Sequence, residues 1–314
     1  MRRPLSEVRV LVLGAHTSAL QFGVARFPAP GDYLVARRFR HAADGGKGSN
    51  QALATARLGA QVTLLSAVGD DAAGQDALSY MQQQGVDVSR VLVSTRHPTG
   101  LGAGFYLDDG TVMGATYLGA TVEITRDYVR SHRDAFADEY DVFLASLEVP
   151  MEAVEAALTM AAQIPHVVLN PAPADDLPRR PLPSVHVLTP NEPEARLLAG
   201  FAPEGSEAIE EVARRVADVF RVPTTAITLG SGGCYLQWEG RGQLLPAPVV
   251  LTVDTSGAGD CFNAAFSLAL AVGCDPPQAA RFAMRAASFS VTMVDSWPAF
   301  PTLEEVMRFG GPVE

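Results

Sequence analysis

Short, unbroken apolar runs alternate with longer stretches of helical period, and this alternation constrains the fold more than any other feature of the chain. "VRVLVLG" (8–14) reads as a buried strand, and "GSNQALATARLGA" (48–60) as a helix that stops at Gly59. "QVTLLSAVG" (61–69) reads as a strand and "DAAGQDALSYMQQQGV" (71–86) as a helix closed by Gly85. Strands are expected at 140–147, 166–170, 185–191 and 224–230, and helices at 151–164, 192–200, 206–220, 259–273 and 276–292. Strands that are apolar on both faces, with helices between them, belong to an α/β fold. Its central sheet is mostly parallel and covered on both sides, giving three α/β/α layers.

Two stretches break the rhythm. Residues 16–46 include "FPAPGDYLVARRFRHAADGG" and offer no helix of usable length. Residues 97–120 include "GFYLDDGTVMGATYL", which reads as a hairpin turning at Asp109-Gly110. Together they are expected to form a small antiparallel β lid inserted in a single domain spanning 1–314; the alternative is a pair of surface hairpins.

Bulk properties exclude some functions. At 314 residues and 47% hydrophobic, the chain is long enough for one large core. Its net charge is −11 and no Lys/Arg run exceeds two residues, so no nucleic-acid partner is expected. The 3 cysteines show no CxxC pair, which fits a reducing cytoplasm. "MRRPLSEVRVLVLG" reads as a first strand rather than a signal peptide. No apolar segment reaches the ~18 residues of a membrane-spanning helix, so no membrane association is expected.

In an open α/β sheet, ligands bind beyond the carboxyl ends of the strands. "DGGKGSNQALA" (44–54) is a Gly-rich turn opening a helix, with Lys47 and Asn50 placed to meet a hydroxyl-rich ligand; a plain helix cap explains it equally well. It lacks the spacing of a Walker A loop. In "LTPNEPEARLL" (188–198), Asn191 and Glu194 have the spacing of a capping box, a purely structural alternative. "TLGSGGC" (228–234) suits close backbone approach to a nucleotide, or a tight turn. In "DTSGAGDCFNAAF" (254–266), Gly257, Ala258 and Gly259 present N–H groups at a helix start, where phosphate oxygens are favoured. Asp260 lies beside them, either as a base for an alcohol or as a complement to the helix dipole.

With these four loops in one chain, the sequence resembles the ribokinase-like (PfkB) family of carbohydrate and nucleoside kinases, in its ribokinase branch, from about Val10 to Pro301. Supporting stretches are "FPAPGD", "VGDDAAGQ", "LNPAPA" and "ITLGSGG". The resemblance implies ATP-dependent phosphorylation of a sugar hydroxyl, with Asp260 as base and Gly257, Ala258 and Gly259 as anion hole. It implies sugar binding by Gly46, Lys47, Gly48, Asn50 and Glu148. It places Asn191, Thr228, Gly230, Ser231, Gly233 and Met284 against ATP, and has Glu194 hold Mg²⁺ through water. Asp254 and Ser256, with Ser290, Met293 and Asp295, match a K⁺ site. Trp297 is expected near the adenine or in ordinary core, and the β lid is expected to form a homodimer contact.

The chain departs from the family where an Asn-x-Asp usually follows the first strand and its Asp grips sugar hydroxyls. "LGAHTSAL" has Thr17 and Ala19 there, leaving Thr17, His16 and Ser18 as polar candidates. Ribose itself is therefore not specified. The alternatives are a nucleoside kinase of the same fold and a catalytically weak sugar- or nucleotide-binding sensor, against which the retained Asp260 argues. Asp295 and Ala299 stand where the family has a glycine and a serine near the cation.

Overall fold

In the computed structural model, which describes residues 3–42, 45–108, 111–137 and 139–309, the first apolar run forms β1 (Arg9–Leu13). Its Val10 and Val12 enter one hydrophobic core, and its Leu11 and Leu13 enter another. Successive strand side chains leave opposite faces, and burial of both faces is why the run is unbroken. The chain then forms β2 (Thr17–Gly23) and β3 (Arg38–Ala42) and returns through α1 (Lys47–Arg57). The expected 61–69 strand divides at Ser66 into β4 (Gln61–Leu65) and β5 (Ala67–Gly69), which leaves the main sheet. Next come α2 (Ala72–Gln83), β6 (Val86–Asp87) and β7 (Leu92–Ser94), the last paired in parallel with β5. β8 (Gly100–Tyr106) and β9 (Val112–Tyr117) precede the short helices α3 (Arg126–Ser131) and α4 (Arg133–Ala137).

The strand–helix rhythm continues with β10 (Val142–Ser146), α5 (Met151–Met160), β11 (His166–Asn170), β12 (Val187–Leu188), α6 (Glu192–Ala199), α7 (Ile209–Phe220) and β13 (Thr224–Thr228). A hairpin, β14 (Cys234–Trp238) and β15 (Arg241–Leu245), leads to α8 (Ala258–Ala271), α9 (Pro276–Ser290) and α10 (Leu303–Arg308). The hairpin was not expected from the sequence. Its Glu239 and Gly240 both have positive φ (48° and 73°), the backbone that tight two-residue hairpins use. The expected 185–191 strand contracts to β12. Ladder bonds flank it, from His186 N to Val167 O at 2.9 Å and from Thr189 N to Leu169 O at 3.0 Å, and Pro190 has no N–H to continue the ladder.

The main sheet has nine strands in the order β15-β14-β13-β12-β11-β10-β1-β4-β6. It is parallel from β13 to β6, with an antiparallel edge at β14 and β15. The chain runs outward from β1 in one direction and from β10 in the other, so the topological switch lies between these two strands, where α/β sheets place their ligands. One core beneath the sheet gathers residues of α1, α8 and α9; the other gathers residues of α5, α6 and α7.

The segments outside the rhythm do form a separate sheet, ordered β3-β2-β8-β9. Its outer pairings, β2–β3 and β8–β9, are antiparallel, while β2 and β8 at its centre run parallel. The Asp109-Gly110 turn lies outside the described residues. Ala42, Ala19, Gly102 and Thr116 share one row across this lid. Its opposite face carries the cross-strand pairs Phe22–Phe39, Phe22–Phe105, Phe105–Met113 and Leu101–Tyr117. Among the described residues, no helix is long and apolar enough to cross a membrane.

Candidate active site

Asp260 sits in the first turn of α8 and is 7% exposed. Both carboxylate oxygens accept from neighbouring residues of α1: Asn50 Nδ2 donates to Oδ2 at 2.9 Å and Gln51 Nε2 to Oδ1 at 3.0 Å. The two helices meet at the site because α1 can press against the end of β1. A Cβ on Gly48 would lie 2.3 Å from Gly14 C, so only glycine permits that approach. Gly46 caps the same helix. Among the described residues, neither glycine lines a cavity at the site, so their observed work is to place Lys47, Asn50 and Gln51.

Gly257 precedes α8 with φ 71°, and a Cβ there would lie 2.6 Å from Ser296 Cβ. Its left-handed backbone turns the chain so that the following N–H groups open the helix. The Ala258 N–H donates to Thr255 O at 3.2 Å. The N–H groups of Gly257 and Gly259 have no hydrogen-bond partner among the described residues. They therefore remain available to an anion at the positive end of α8.

Three adjoining cavities organise the site. A central one of about 460 Å³ is lined by Asp260, Lys47, Asn191, Glu194, Gly257 and Gly259, with Asn170, Thr189 and Asn263 behind. It shares Thr228, Gly230, Thr255 and Gly259 with a mainly apolar cavity of about 300 Å³, which Ser231, Gly233, Phe262, Met284 and Val291 also line. On the other side it shares Lys47 and Glu194 with a cavity of about 580 Å³ under the lid, lined by Thr116, Glu148, Met151 and Asp176. Lys47 and Asp260 thus stand between a hydroxyl-accessible chamber and a pocket suited to a flat, apolar group.

Burial dominates the titration of Asp260 and pushes its carboxyl above the usual range, although the Lys47 charge and the Asn50 and Gln51 donors pull it back. Glu148 is raised by burial too, despite the Lys47 N–H that donates to its Oε2 at 2.7 Å. Burial also raises Glu194. For Lys47 burial acts downward, but the fields of Asp260, Glu148 and Glu194 outweigh it and keep the ammonium charged. A reaction that needs the ionised Asp260 should lose rate as pH falls, with a midpoint above the ordinary aspartate value of 3.8. A kcat–pH profile at saturating nucleotide checks this; an acid limb at or below 3.8 contradicts it.

The acceptor side differs from expectation in two places. Thr17 is buried at the root of the lid, where its N–H donates to Gly45 O at 3.2 Å, and it lines none of the three cavities. The half-exposed Ala19 lies in the lid row that contains Thr116, hence on the face toward the cavity. Trp297 does not line the apolar cavity where an adenine neighbour would stand. It stacks on Tyr80 at 4.9 Å and donates from Nε1 to Asn50 Oδ1 at 2.9 Å. That bond orients the Asn50 amide so that its NH₂ faces Asp260. Gln51, Asn170 and this use of Trp297 were missed from the sequence; the one available signal was a run of polar residues, Ser49 to Gln51, in a helix buried throughout Gly48–Thr55.

Asn191 and Glu194 form a capping box, with Glu194 N to Asn191 Oδ1 at 2.8 Å and Asn191 N to Glu194 Oε2 at 2.9 Å. They line the central cavity as well, so the structural and the ligand-facing descriptions hold together. Among the described residues, no three His, Cys, Asp or Glu gather into a metal-holding group. Asp254 accepts from Ser256 N at 2.9 Å and from Asp295 N at 3.1 Å. Ser290 donates its hydroxyl to Ala287 O at 2.9 Å, and the Met293 N–H lies 3.5 Å from Ser290 O. The Asp254 N–H also donates to Val291 O at 3.3 Å, so Asp254, Ser256 and Asp295 are tied together beside the C-terminal end of α9. Asp295 has φ 76°, a conformation costing a non-glycine residue about 1–2 kcal/mol, and its carboxylate pairs with Arg40 of β3.

Comparison with known proteins agrees with this geometry. Residues 10–302 match the model of the pfkB family carbohydrate kinases. The chain is 36% identical to a ribokinase of Bacillus subtilis over 299 residues, covering 95% of this chain and 97% of that protein. It is 33% identical to a ribokinase of Haemophilus influenzae over 302 residues, again covering 95% and 97%. The structure of Arabidopsis thaliana ribokinase complexed with ribose and ATP superposes with a TM-score of 0.79 at 25% identity, covering 96% of this chain and 97% of that one. The chain belongs to the pfkB family of carbohydrate kinases.

Proposed function

We infer that this ATP-dependent sugar kinase phosphorylates a hydroxyl of ribose or a related pentose, with Asp260 as the base. The observation that carries the reading is the position of Asp260, between the chamber under the lid and the open N–H groups of α8. The acceptor sits in that chamber, beside Lys47, Asn50 and Glu148. ATP lies across the shared Thr228–Gly230 edge, its adenine in the apolar cavity near Met284 and its phosphates over Gly257 to Gly259. As the acceptor oxygen attacks, Asp260 Oδ2 takes its proton, and the helix N-terminus and Lys47 hold the charge on the moving phosphoryl group. Three carboxylates around Lys47 disfavour a free polyphosphate; Glu194 would hold Mg²⁺ through water, and the ion would offset the phosphate charge. Asp254, beside Ser256 and Asp295, would be the residue to hold K⁺, whose charge would steady the loop before Gly257. Coupled ADP release over a panel of pentoses, hexoses and nucleosides tests the reading, and turnover of none of them would sink it.

One observation favours a nucleoside as a second class of acceptor. The lid face over the chamber is made of small residues at Ala19, Ala42 and Gly102, which leaves room for a base. Faster turnover of nucleosides than of free pentoses would decide for it.

The outer face of the lid is the proposed contact with a second copy of the chain. Phe39 is 61% exposed, Met113 49% and Tyr117 55%, in one apolar stripe that a monomer would leave in water. Phe39→Glu combined with Met113→Glu should convert a dimer to a monomer in light scattering after gel filtration. A wild-type protein that is already monomeric at micromolar concentration overturns the assignment.

A further inference from the structure

Behind the candidate base lies a chain of amides that lines neither the chamber under the lid nor the apolar pocket and borders the central cavity only at Asn170. Gln51 is fully buried, and its one NH₂ group serves two acceptors, Asp260 Oδ1 at 3.0 Å and Asn170 Oδ1 at 3.1 Å. Asn170 in turn donates from Nδ2 to Thr189 O at 2.9 Å. Because the Thr189 carbonyl can only accept, it fixes which end of the Asn170 amide faces Gln51. That in turn fixes which end of Gln51 faces Asp260. The ends of β11 and β12 thereby set the direction of a donor on α1. The arrangement leaves Gln51 Oε1 buried without a partner. An orphaned buried acceptor costs about 1–3 kcal/mol, and reversing the amide would not satisfy it, since Oε1 would then face two acceptors, Asp260 Oδ1 and Asn170 Oδ1.

We propose that Gln51, aligned by Asn170, is the positioning residue of the base: it anchors Asp260 through Oδ1 and so reserves Oδ2 for the acceptor hydroxyl. This rests on Asp260 being the base. The division of labour between the oxygens follows from what lies around each. Oδ1 meets only the buried amide chain. Oδ2 meets only Asn50 Nδ2, at 2.9 Å, on a carboxyl group that lines the central cavity. A donor to the ionised carboxylate also opposes the upward push of burial on Asp260.

The test is Gln51→Met, similar in length but without a donor, assayed against pH alongside Asp260→Asn, with ADP binding measured on each variant as a check of the fold. The expected result is a kcat about 10–100-fold lower and KM for acceptor and ATP nearly unchanged. The acid limb should move up by about one pH unit, because the lost donor no longer favours the charged form. Asn170→Ala, which releases the far end of the amide chain, should move the limb the same way by less, and it carries the test if Gln51→Met fails to fold. An unmoved limb and unchanged kcat in the variants that bind ADP normally overturn the proposal while leaving Asp260 as base. A near-normal rate in Asp260→Asn overturns the base assignment and this proposal with it.

Discussion

Asp260→Asn should lower kcat by about 10²–10⁴-fold, the range for removal of a general base, while ADP binds as tightly as before. At about 1.36 kcal/mol per decade, this is roughly 3–5 kcal/mol of transition-state stabilisation. Two effects combine in the loss. The amide cannot take the hydroxyl proton. It also places an NH₂ where Asn50 or Gln51 presents one already: the carboxylate accepts from Asn50 Nδ2 at 2.9 Å and Gln51 Nε2 at 3.0 Å, and an amide satisfies at most one of them. Asn50 cannot rotate in compensation, because Trp297 Nε1 occupies its oxygen at 2.9 Å. ADP affinity is spared because the proposed nucleotide pocket is lined by Thr228, Gly230, Met284 and the start of α8, not by the carboxylate. Single-turnover phosphoryl transfer with a calorimetric ADP titration separates the two. A variant that retains near-normal kcat would mean that positioning of ATP and acceptor carries the catalysis without a base.

The strand–helix rhythm was readable because β1, β10 and β11 are buried on both faces, and such strands leave continuous apolar runs. The lid was readable as a break in that rhythm. Its parallel central pairing was not, because β2 and β8 are distant in sequence and nothing local records their register. At the site, Asp260, Lys47, Asn191 and Glu194 announce themselves through Gly-rich turns and helix starts, the local signals of a ligand-facing loop. Gln51 and Asn170 announce nothing of the kind. One lies inside a helix and the other at the end of an apolar strand, and their role exists only where α1, β11 and α8 converge. Trp297 shows the same limit: its burial was foreseeable, but its bond to Asn50 joins residues far apart in the chain.

Ala19→Asp should raise kcat/KM for ribose by about 10–100-fold, the equivalent of one hydrogen bond to a charged group at about 1.5–3 kcal/mol. Ala19 faces the chamber from the lid row of Ala42, Gly102 and Thr116, and a Cβ on Gly102 would still lie 4.0 Å from its own Cβ. A carboxylate therefore fits without displacing a neighbour. There it would meet hydroxyls of a sugar held against Lys47 and Glu148, in a lid row where Thr116 carries the one hydroxyl. Thr17 does not substitute, since it is buried at the lid root and its N–H is bound to Gly45. The gain should fall mainly in KM, because a bond made equally in ground and transition states lowers KM without raising kcat. A deoxy sugar lacking the hydroxyl so bonded should gain correspondingly less, which distinguishes hydroxyl recognition from a general effect on lid closure. If kcat/KM for ribose is unchanged or falls while ADP affinity holds, the lid face at Ala19 is not where the sugar is read. The small residues there then mark room for a bulkier acceptor, and the nucleoside reading takes precedence.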